Sequence, residues 1–320
     1  MQIGLVGLGR MGGNMARRLV QGGVRVVGFD RDATVREALA AEGVIAPASS
    51  MIDVAHALPA PRVVWLMVPA GIATELAIQD LWPELGAGDV IVDGGNANYK
   101  DSQRRATALA AAGLHFVDCG VSGGVWGLNE GYALMLGGSA SAARSVEPYA
   151  RILAPAPDRG WLHCGPAGSG HFVKMIHNGI EYGMMQALAE GFALMEGKHE
   201  LNLDVAAVAE MWRHGSVVRS WLLDLTAEIL ARDASLTGAA PFVADSGEGR
   251  WTVNEAVEQG IPAPVLSLAL MARFGSQNKG DFGNKLLALM RQSFGGHAVV
   301  PAGDEVKSAN HGDIRRDALS

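Results

Sequence analysis

Between positions 174 and 182 the chain reads KMIHNGIEY, and its polar members are spaced for one side of a helix. Lys174, His177, Asn178, Glu181 and Tyr182 stand at i, i+3, i+4, i+7 and i+8, with apolar Met175, Ile176 and Ile180 between them. Polar side chains buried without partners are costly, so the stripe must face water, an internal hydrogen-bond network or a ligand. A lysine whose pKa is pushed toward working pH by burial or a nearby cation can serve as a base, and Glu181 can serve as the matching acid. Seven residues separate the two, about 10 Å along a helix axis, which suits action on different carbons of one substrate. The spacing invites a reaction with more than one proton transfer.

A second constellation lies at the start of the chain. Gly7-Leu8-Gly9-Arg10-Met11-Gly12 is a G-x-G-x-x-G placed directly after an apolar run and before a helical pattern at 14–20. In that context Gly7 permits the tight turn, Gly9 lets backbone approach a pyrophosphate, and Gly12 allows close helix packing. The pyrophosphate would rest on the helix N-terminus, where free N–H groups and the helix dipole favour negative charge. A glycine turn with no ligand would carry the same letters. Asp30 ends the next apolar run, where a carboxylate can accept hydrogen bonds from the adenosine ribose or simply close a turn. It would also repel the extra phosphate of NADP, so NAD is the expected cofactor. NADP is the weaker alternative, through Arg31, if Asp30 turns away. Val68-Pro69 and Asp93-Gly94-Gly95-Asn96 close later runs and should line the path to the nicotinamide, with Asn96 free to hold a substrate hydroxyl or carboxylate. No metal is expected.

Ser122-Gly123-Gly124 could present a hydroxyl and backbone N–H groups to a carboxylate, although a solvent turn would look similar. Arg250, Arg273, Arg291 and His297 could supply a local anion site in an acidic chain.

These residues need elements to hold them. Apolar runs of strand length at 3–6, 24–29, 63–68, 90–92 and 115–118 alternate with helical patterns, which builds a parallel sheet with helices on both faces. The expected fold is α/β, a Rossmann-type doubly wound parallel sheet followed by an all-helical C-terminal domain. The stretch 153–170, LAPAPDRGWLHCGPAGSG, is dense in proline and glycine and marks the division into 1–166 and 167–320. Beyond it, helices are expected at 171–197, 204–213, 217–232, 254–259 and 264–274, with loops at 234–249 and 275–283 and a loose tail from 301. A length of 320 residues and 49% hydrophobic content allow two such domains. The net charge of −7 speaks against nucleic-acid and anionic-membrane partners. With only Cys119 and Cys164, no disulfide framework is expected. The opening Met1-Gln2-Ile3 lacks the basic region of a signal peptide, and no apolar run reaches the roughly 18 residues of a spanning helix, so a soluble, cytoplasmic protein is expected.

Taken together, these segments resemble the 6-phosphogluconate dehydrogenase family, decarboxylating type, in its short bacterial NAD-preferring form within the β-hydroxyacid dehydrogenases. The resemblance runs from residue 1 to about 297 and is carried by GLVGLGRMGGNMARRL, VDGGNANY, VSGGVWGLNEGYALMLGG, HFVKMIHNGIEYG, GEGRWT and RQSFGGH. It implies oxidation of 6-phosphogluconate at C3, loss of CO2 and protonation to ribulose 5-phosphate, a pentose phosphate reaction. By the same resemblance Lys174 is the base for the C3 hydroxyl and Glu181 the acid for C1. Asn96, Ser122, Gly123, Gly124, His177 and Asn178 hold the sugar acid, and Tyr182, Arg273 and Arg291 its phosphate, with His297 alongside. Arg250 stands where lysine is frequent in the family. Asp30 replaces the Asn-Arg-Thr segment that accompanies NADP preference. A homodimer or homotetramer is implied, in which tail residues such as Arg291 and His297 reach a neighbour's site and the helical half serves oligomerisation.

Two other readings share parts of the pattern. A 3-hydroxyisobutyrate or glyoxylate/succinic semialdehyde type enzyme has the fold and the lysine, but usually carries serine and threonine in place of Asp93–Asn96 and asparagine in place of His177. A non-catalytic NAD-binding sensor would have no need of Lys174 and Glu181 together.

Overall fold

Along the N-terminal strands successive side chains point to opposite faces, and the computed structural model, which describes residues 1–295 and 299, gives each face its own core. Ile3, Leu5, Val63, Trp65, Val90 and Val92 enter one core; Val6, Val64, Leu66 and Ile91 enter the other. The strands are β1 (Gln2–Val6), β2 (Arg25–Phe29), β3 (Ala46–Pro47), β4 (Val63–Leu66), β5 (Val90–Asp93), β6 (His115–Ser122), β7 (Ala133–Gly138) and β8 (Trp161–Gly165). Their order is β3-β2-β1-β4-β5-β6-β7-β8, parallel throughout except where β7 meets β6. Between them run α1 (Arg10–Gln21), α2 (Ala33–Ala41), α3 (Met51–His56), α4 (Ile72–Leu81), α5 (Tyr99–Ala110), the short α6 (Gly127–Glu130) and α7 (Ala140–Leu153). The chain reverses its direction of travel across the sheet between β1 and β4, and a crevice beyond the strand ends forms at such a point.

The sheet is larger than the apolar runs indicated. β6 continues to Ser122, and β7 pairs with it from Val117↔Gly138 to Ser122↔Ala133. β8 lies inside the stretch 153–170 that reads as a break. As an edge strand with Leu162 exposed, it carries no alternation to reveal it.

The helical part begins with α8 (Ser169–Glu196), followed by α9 (Val205–Trp212), α10 (Trp221–Arg232), α11 (Glu248–Gln259), α12 (Pro264–Ser276) and α13 (Asp281–Gly295). α10 starts at Trp221 rather than 217, because Ser220 Oγ caps it by accepting from Leu223 N–H at 3.2 Å. α11 starts at Glu248 rather than 254, behind Gly247 in a positive-φ conformation that only glycine adopts at little cost. α13 takes part of the expected 275–283 loop; its polar, glycine-bearing start hides the pattern. The expected tail lies outside the described residues.

The chain divides into a larger unit, Met1–Thr237 with Asp245–Leu270, and a smaller one, Gly238–Ala244 with the residues from Met271 on. In the smaller unit the segment 238–244 is tied to α12 and the residue after it: Arg273 Nη1 donates to Ala244 O, Val243 N–H to Ser276 Oγ, and Gln277 Nε2 to Val243 O. Among the described residues, no helix is long and apolar enough to cross a membrane.

Candidate active site

α8 is bolted to the sheet at its first turn. Asp118 on β6 is fully buried, and its two carboxylate oxygens accept from Gly168 N–H at 2.6 Å and His171 N–H at 2.8 Å. Those are N–H groups a helix start leaves without partners, and a carboxylate suits the positive end of the helix dipole. His171 Nδ1 meets Ser102 Oγ of α5 at 2.8 Å. Gly120 completes the docking: a side-chain carbon there would collide with the stem of Lys174 and the Gly170 carbonyl. The seat of Lys174 is therefore set by the sheet, not by the helix alone.

Beside this seat opens a cleft of about 880 Å³. Asn96, Ser122, Gly123, Gly124 and Met11 line it from the sheet side; Lys174, His177, Asn178 and Glu181 line it from α8. Lys174 is 6% exposed, and its Nζ donates to Asn178 Oδ1 at 2.7 Å and lies 3.4 Å from His177 Nδ1. His177 joins the other groups, with Nε2 3.3 Å from Ser122 Oγ and Nδ1 3.7 Å from Glu181 Oε2. Burial lowers the proton affinity of the Lys174 amine, and the charges of Glu181 and Glu248 oppose that effect without cancelling it. Asn96 sits at φ +51°, a left-handed conformation that asparagine tolerates, with its amide braced by Val121 N–H at 2.9 Å and Val121 O at 3.2 Å.

Tyr182 does not line this cleft. At 100° per residue it lies about 80° from Lys174 and about 140° from His177, so it turns past the opening. Its ring packs over Gly249 and its hydroxyl lies 3.1 Å from Ser246 Oγ. Arg250 directly follows Gly249 on α11 and pairs with Asp245. Arg273 and Arg291 are carried by α12 and α13 in the smaller unit, and His297 lies outside the described residues.

The glycine turn has the shape of a dinucleotide cradle. Gly7 has φ +89°, and a side-chain carbon there would run into the Met67 carbonyl; one on Gly12 would collide with the Gly7 carbonyl. Around Gly9, by contrast, nothing comes within 4 Å of the same position. Backbone is packed on either side of the turn and open in its middle, where a pyrophosphate needs room. Leu8 N–H donates to Asp30 Oδ2 at 2.7 Å and Asp32 N–H to Oδ1 at 3.0 Å. Asp30 thus fixes the turn while keeping lone pairs for ribose hydroxyls. Arg10 and Arg31 are exposed beside it, and Val68 and Pro69 follow β4.

Some of the site has no sequence signal. Trp126, Trp221, Leu222 and Leu225 form apolar wall in the cleft, yet they read as ordinary loop and helix residues. Asp118 reads as a strand residue, since its partners lie 50 and 53 positions away.

Two family models match the chain: the NAD binding domain of 6-phosphogluconate dehydrogenase over residues 2–156, and the 6-phosphogluconate dehydrogenase C-terminal domain over 170–305. The chain belongs to the 6-phosphogluconate dehydrogenase family. It is 43% identical to an NAD(+)-dependent, decarboxylating 6-phosphogluconate dehydrogenase of Haloferax volcanii over 95% of this chain and 100% of that one. Against an NADP(+)-dependent, decarboxylating relative from Bacillus subtilis the identity is 36%, over 87% of this chain and 62% of the longer relative. A solved 6-phosphogluconate dehydrogenase of Plasmodium falciparum superposes with a TM-score of 0.79 at 30% identity, covering 95% of this chain and 67% of that one.

Proposed function

We propose that this chain oxidises and decarboxylates 6-phosphogluconate to ribulose 5-phosphate and CO2, with NAD as its preferred cofactor and NADP as a weaker one. The observation that carries this reading is the enclosure of a buried amine, Lys174, in one cleft with a carboxyl group, Glu181, opposite the small residues Ser122, Gly123 and Gly124. NAD, when bound, accepts the hydride from C3. Lys174, whose neutral form burial favours, takes the C3 hydroxyl proton as that hydride leaves. The C3 carbonyl then draws in the electron pair of the C1–C2 bond as the carboxylate departs as CO2, and Glu181 delivers a proton to the substrate's C2, which becomes C1 of ribulose 5-phosphate. His177, Asn178, Ser122 and Asn96 orient the sugar acid, and Gly123 and Gly124 leave space for its carboxylate.

The phosphate end falls to Tyr182, Arg250, Arg273, Arg291 and His297, the last two acting from a neighbouring subunit. In this reading residues 1–166 serve the dinucleotide and 167–320 the substrate and the assembly of a homodimer or homotetramer in the cytoplasm. The test supplies 6-phosphogluconate with NAD or NADP and follows reduced nucleotide and CO2 together. Both products are expected, faster with NAD. Nucleotide reduction without CO2 would assign the chain to a non-decarboxylating hydroxyacid reaction, and binding without either product would leave a sensor.

A further inference from the structure

α1 starts directly after the glycine turn, and one side of it serves a second purpose. Met11, Asn14 and Arg18 stand at i, i+3 and i+7; Met11 lines the cleft, while Asn14 and Arg18 reach the segment 123–131. That segment brings Gly123, Gly124 and Trp126 to the cleft and leads into β7. It has little regular structure of its own: Gly123, Gly124 and Gly131 hold φ values of +139°, +52° and +83°, and α6 within it has only four residues. The buried ring of Tyr132 fills the space beneath, so that a side-chain carbon at Gly123 would stand 3.0 Å from it and one at Gly127 would collide with it.

Among the described residues, side chains hydrogen-bond to the backbone of this segment at two places, and both come from α1. Arg18 Nη1 donates to Leu128 O at 3.2 Å, and Asn14 Nδ2 donates to Val125 O at 3.4 Å. The rest of the Arg18 fork closes on the end of α7: Nε donates to Ile152 O at 3.1 Å and Leu153 O at 3.0 Å, and Nη2 donates to Ala154 O. Leu153 O also accepts from Tyr132 N–H at 2.9 Å, and a side-chain carbon at Gly131 would run into the backbone of Pro155. One guanidinium thus ties the helix that carries it to the segment and to the last carbonyls of α7, which a helix end leaves without partners of its own. Its planar fork of donors makes the span possible; a lysine ammonium is a single point. Arg18 itself does not line the cleft.

We propose that Arg18 is a positioning residue for the substrate: by pinning the segment 123–131 to the helix that starts at the dinucleotide turn, it sets where Gly123 and Gly124 meet the sugar acid relative to the cofactor. This rests on the reading in which Ser122, Gly123 and Gly124 receive the carboxylate end of 6-phosphogluconate. No proton or electron passes through Arg18. Its effect is geometric, because hydride transfer needs C3 and the cofactor ring at reacting distance, and a segment jointed by three glycines depends on outside contacts for its position. The two ligands then respond differently to its loss. The dinucleotide cradle is set by Gly7, Gly12 and Asp30 through contacts in which Arg18 takes no part, so opening the fork loosens the sugar site and spares the cofactor site.

The test uses the full chain and measures initial rates with 6-phosphogluconate and NAD in the parent, Arg18→Ala, Arg18→Lys and Ser122→Ala, with the Kd for NAD taken by calorimetry. In Arg18→Ala the KM for 6-phosphogluconate should rise by about tenfold or more while the Kd for NAD stays within about twofold. Arg18→Lys keeps a cation and loses the fork; it should raise the same KM by a smaller factor, about threefold, and it decides the matter if the Ala variant does not fold. An arginine that merely stabilises the fold would, on removal, lower the active fraction and with it kcat, leaving KM alone. An unchanged KM in the variant that decides, or a KM and a Kd that rise together, therefore overturns the proposal. Ser122→Ala separates it from the reading it rests on. If that change leaves the KM for the sugar acid unmoved, or if the parent does not reduce NAD with 6-phosphogluconate, the segment is not the substrate's seat and both ideas fall; if KM rises in Ser122→Ala but not in the deciding Arg18 variant, the proposal falls alone.

Discussion

Lys174 is seated where burial lowers its proton affinity, and a pH dependence of activity and of stability follows from that seat. Because burial lowers its proton affinity, kcat/KM should rise with pH along a limb centred below the ordinary lysine value of about 10.4, as a pH–rate profile would show. Between the folded and unfolded pKa values the folded chain binds fewer protons than the unfolded one. The contribution of this group to stability therefore increases as pH rises through that window, which urea titrations at several pH values would read. Lys174→Met should reduce kcat by about 10²–10⁴ and leave the Kd for NAD unchanged by calorimetry; unchanged turnover would remove the lysine as base. Glu181→Gln should spare the hydride step and the loss of CO2 and slow the later proton transfer, so in a single turnover nucleotide reduction and CO2 release would both outpace formation of ribulose 5-phosphate. Asp30→Asn keeps one acceptor for Leu8 N–H and removes the charge. It should raise kcat/KM for NADP by about tenfold or more relative to NAD, and an unchanged ratio would show that Asp30 does not set the preference.

The elements explain why a local motif becomes a site. Asp93 and Arg105 form a fully buried ion pair at 2.8 Å beneath the Gly94-Gly95-Asn96 turn, and Glu75 accepts from Arg105 as well. Arg105→Ala would leave Asp93 as an uncompensated buried charge and is expected to lower stability by about 3–5 kcal/mol in denaturant melts. Asp118→Ala strips two N–H groups at the α8 start of their acceptor, for an expected loss of about 2–3 kcal/mol; a change under about 0.5 kcal/mol would mean water replaces the carboxylate. Neither pair was legible in the sequence, where Asp93 and Asp118 merely end strand-like runs and their partners are remote. What was legible is what repeats locally: the glycine turn, the 3.6-residue spacing of Lys174, His177, Asn178 and Glu181, and the apolar runs of β1, β2, β4 and β5. Tyr182 shows the limit of spacing alone. Eight residues bring it near the same side of a helix, but the packing of α11 decides which way that edge faces. β7 and β8 escaped for a related reason, since the glycines of one and the edge exposure of the other erase any period of two.

Across the whole molecule, large apolar side chains outside the cleft remain exposed on the helical part, among them Leu194 on α8, Met211 on α9, Val257 on α11 and Val265 and Leu268 on α12. Exposed apolar side chains are what a subunit interface would cover, which is the observation behind the proposed homo-oligomer. Sedimentation equilibrium should give a mass twice or four times that of one chain, and Leu194→Glu should shift it toward the single chain; a monomeric parent would refute the assembly. The doubly wound sheet itself was readable from the alternation of strands and helices, whereas assembly is encoded only as apolar residues that a helix pattern cannot tell from core. One last consequence follows from the grip of Asp118 on the opening turn of α8. A gene shortened after codon 166 would discard in one cut both the hydrogen-bond donors that satisfy this carboxylate and the cover over β6 and β7. The dinucleotide-binding half is therefore not a detachable cartridge, and chimeras that exchange catalytic halves between relatives should be spliced beyond the first turns of that helix rather than ahead of them.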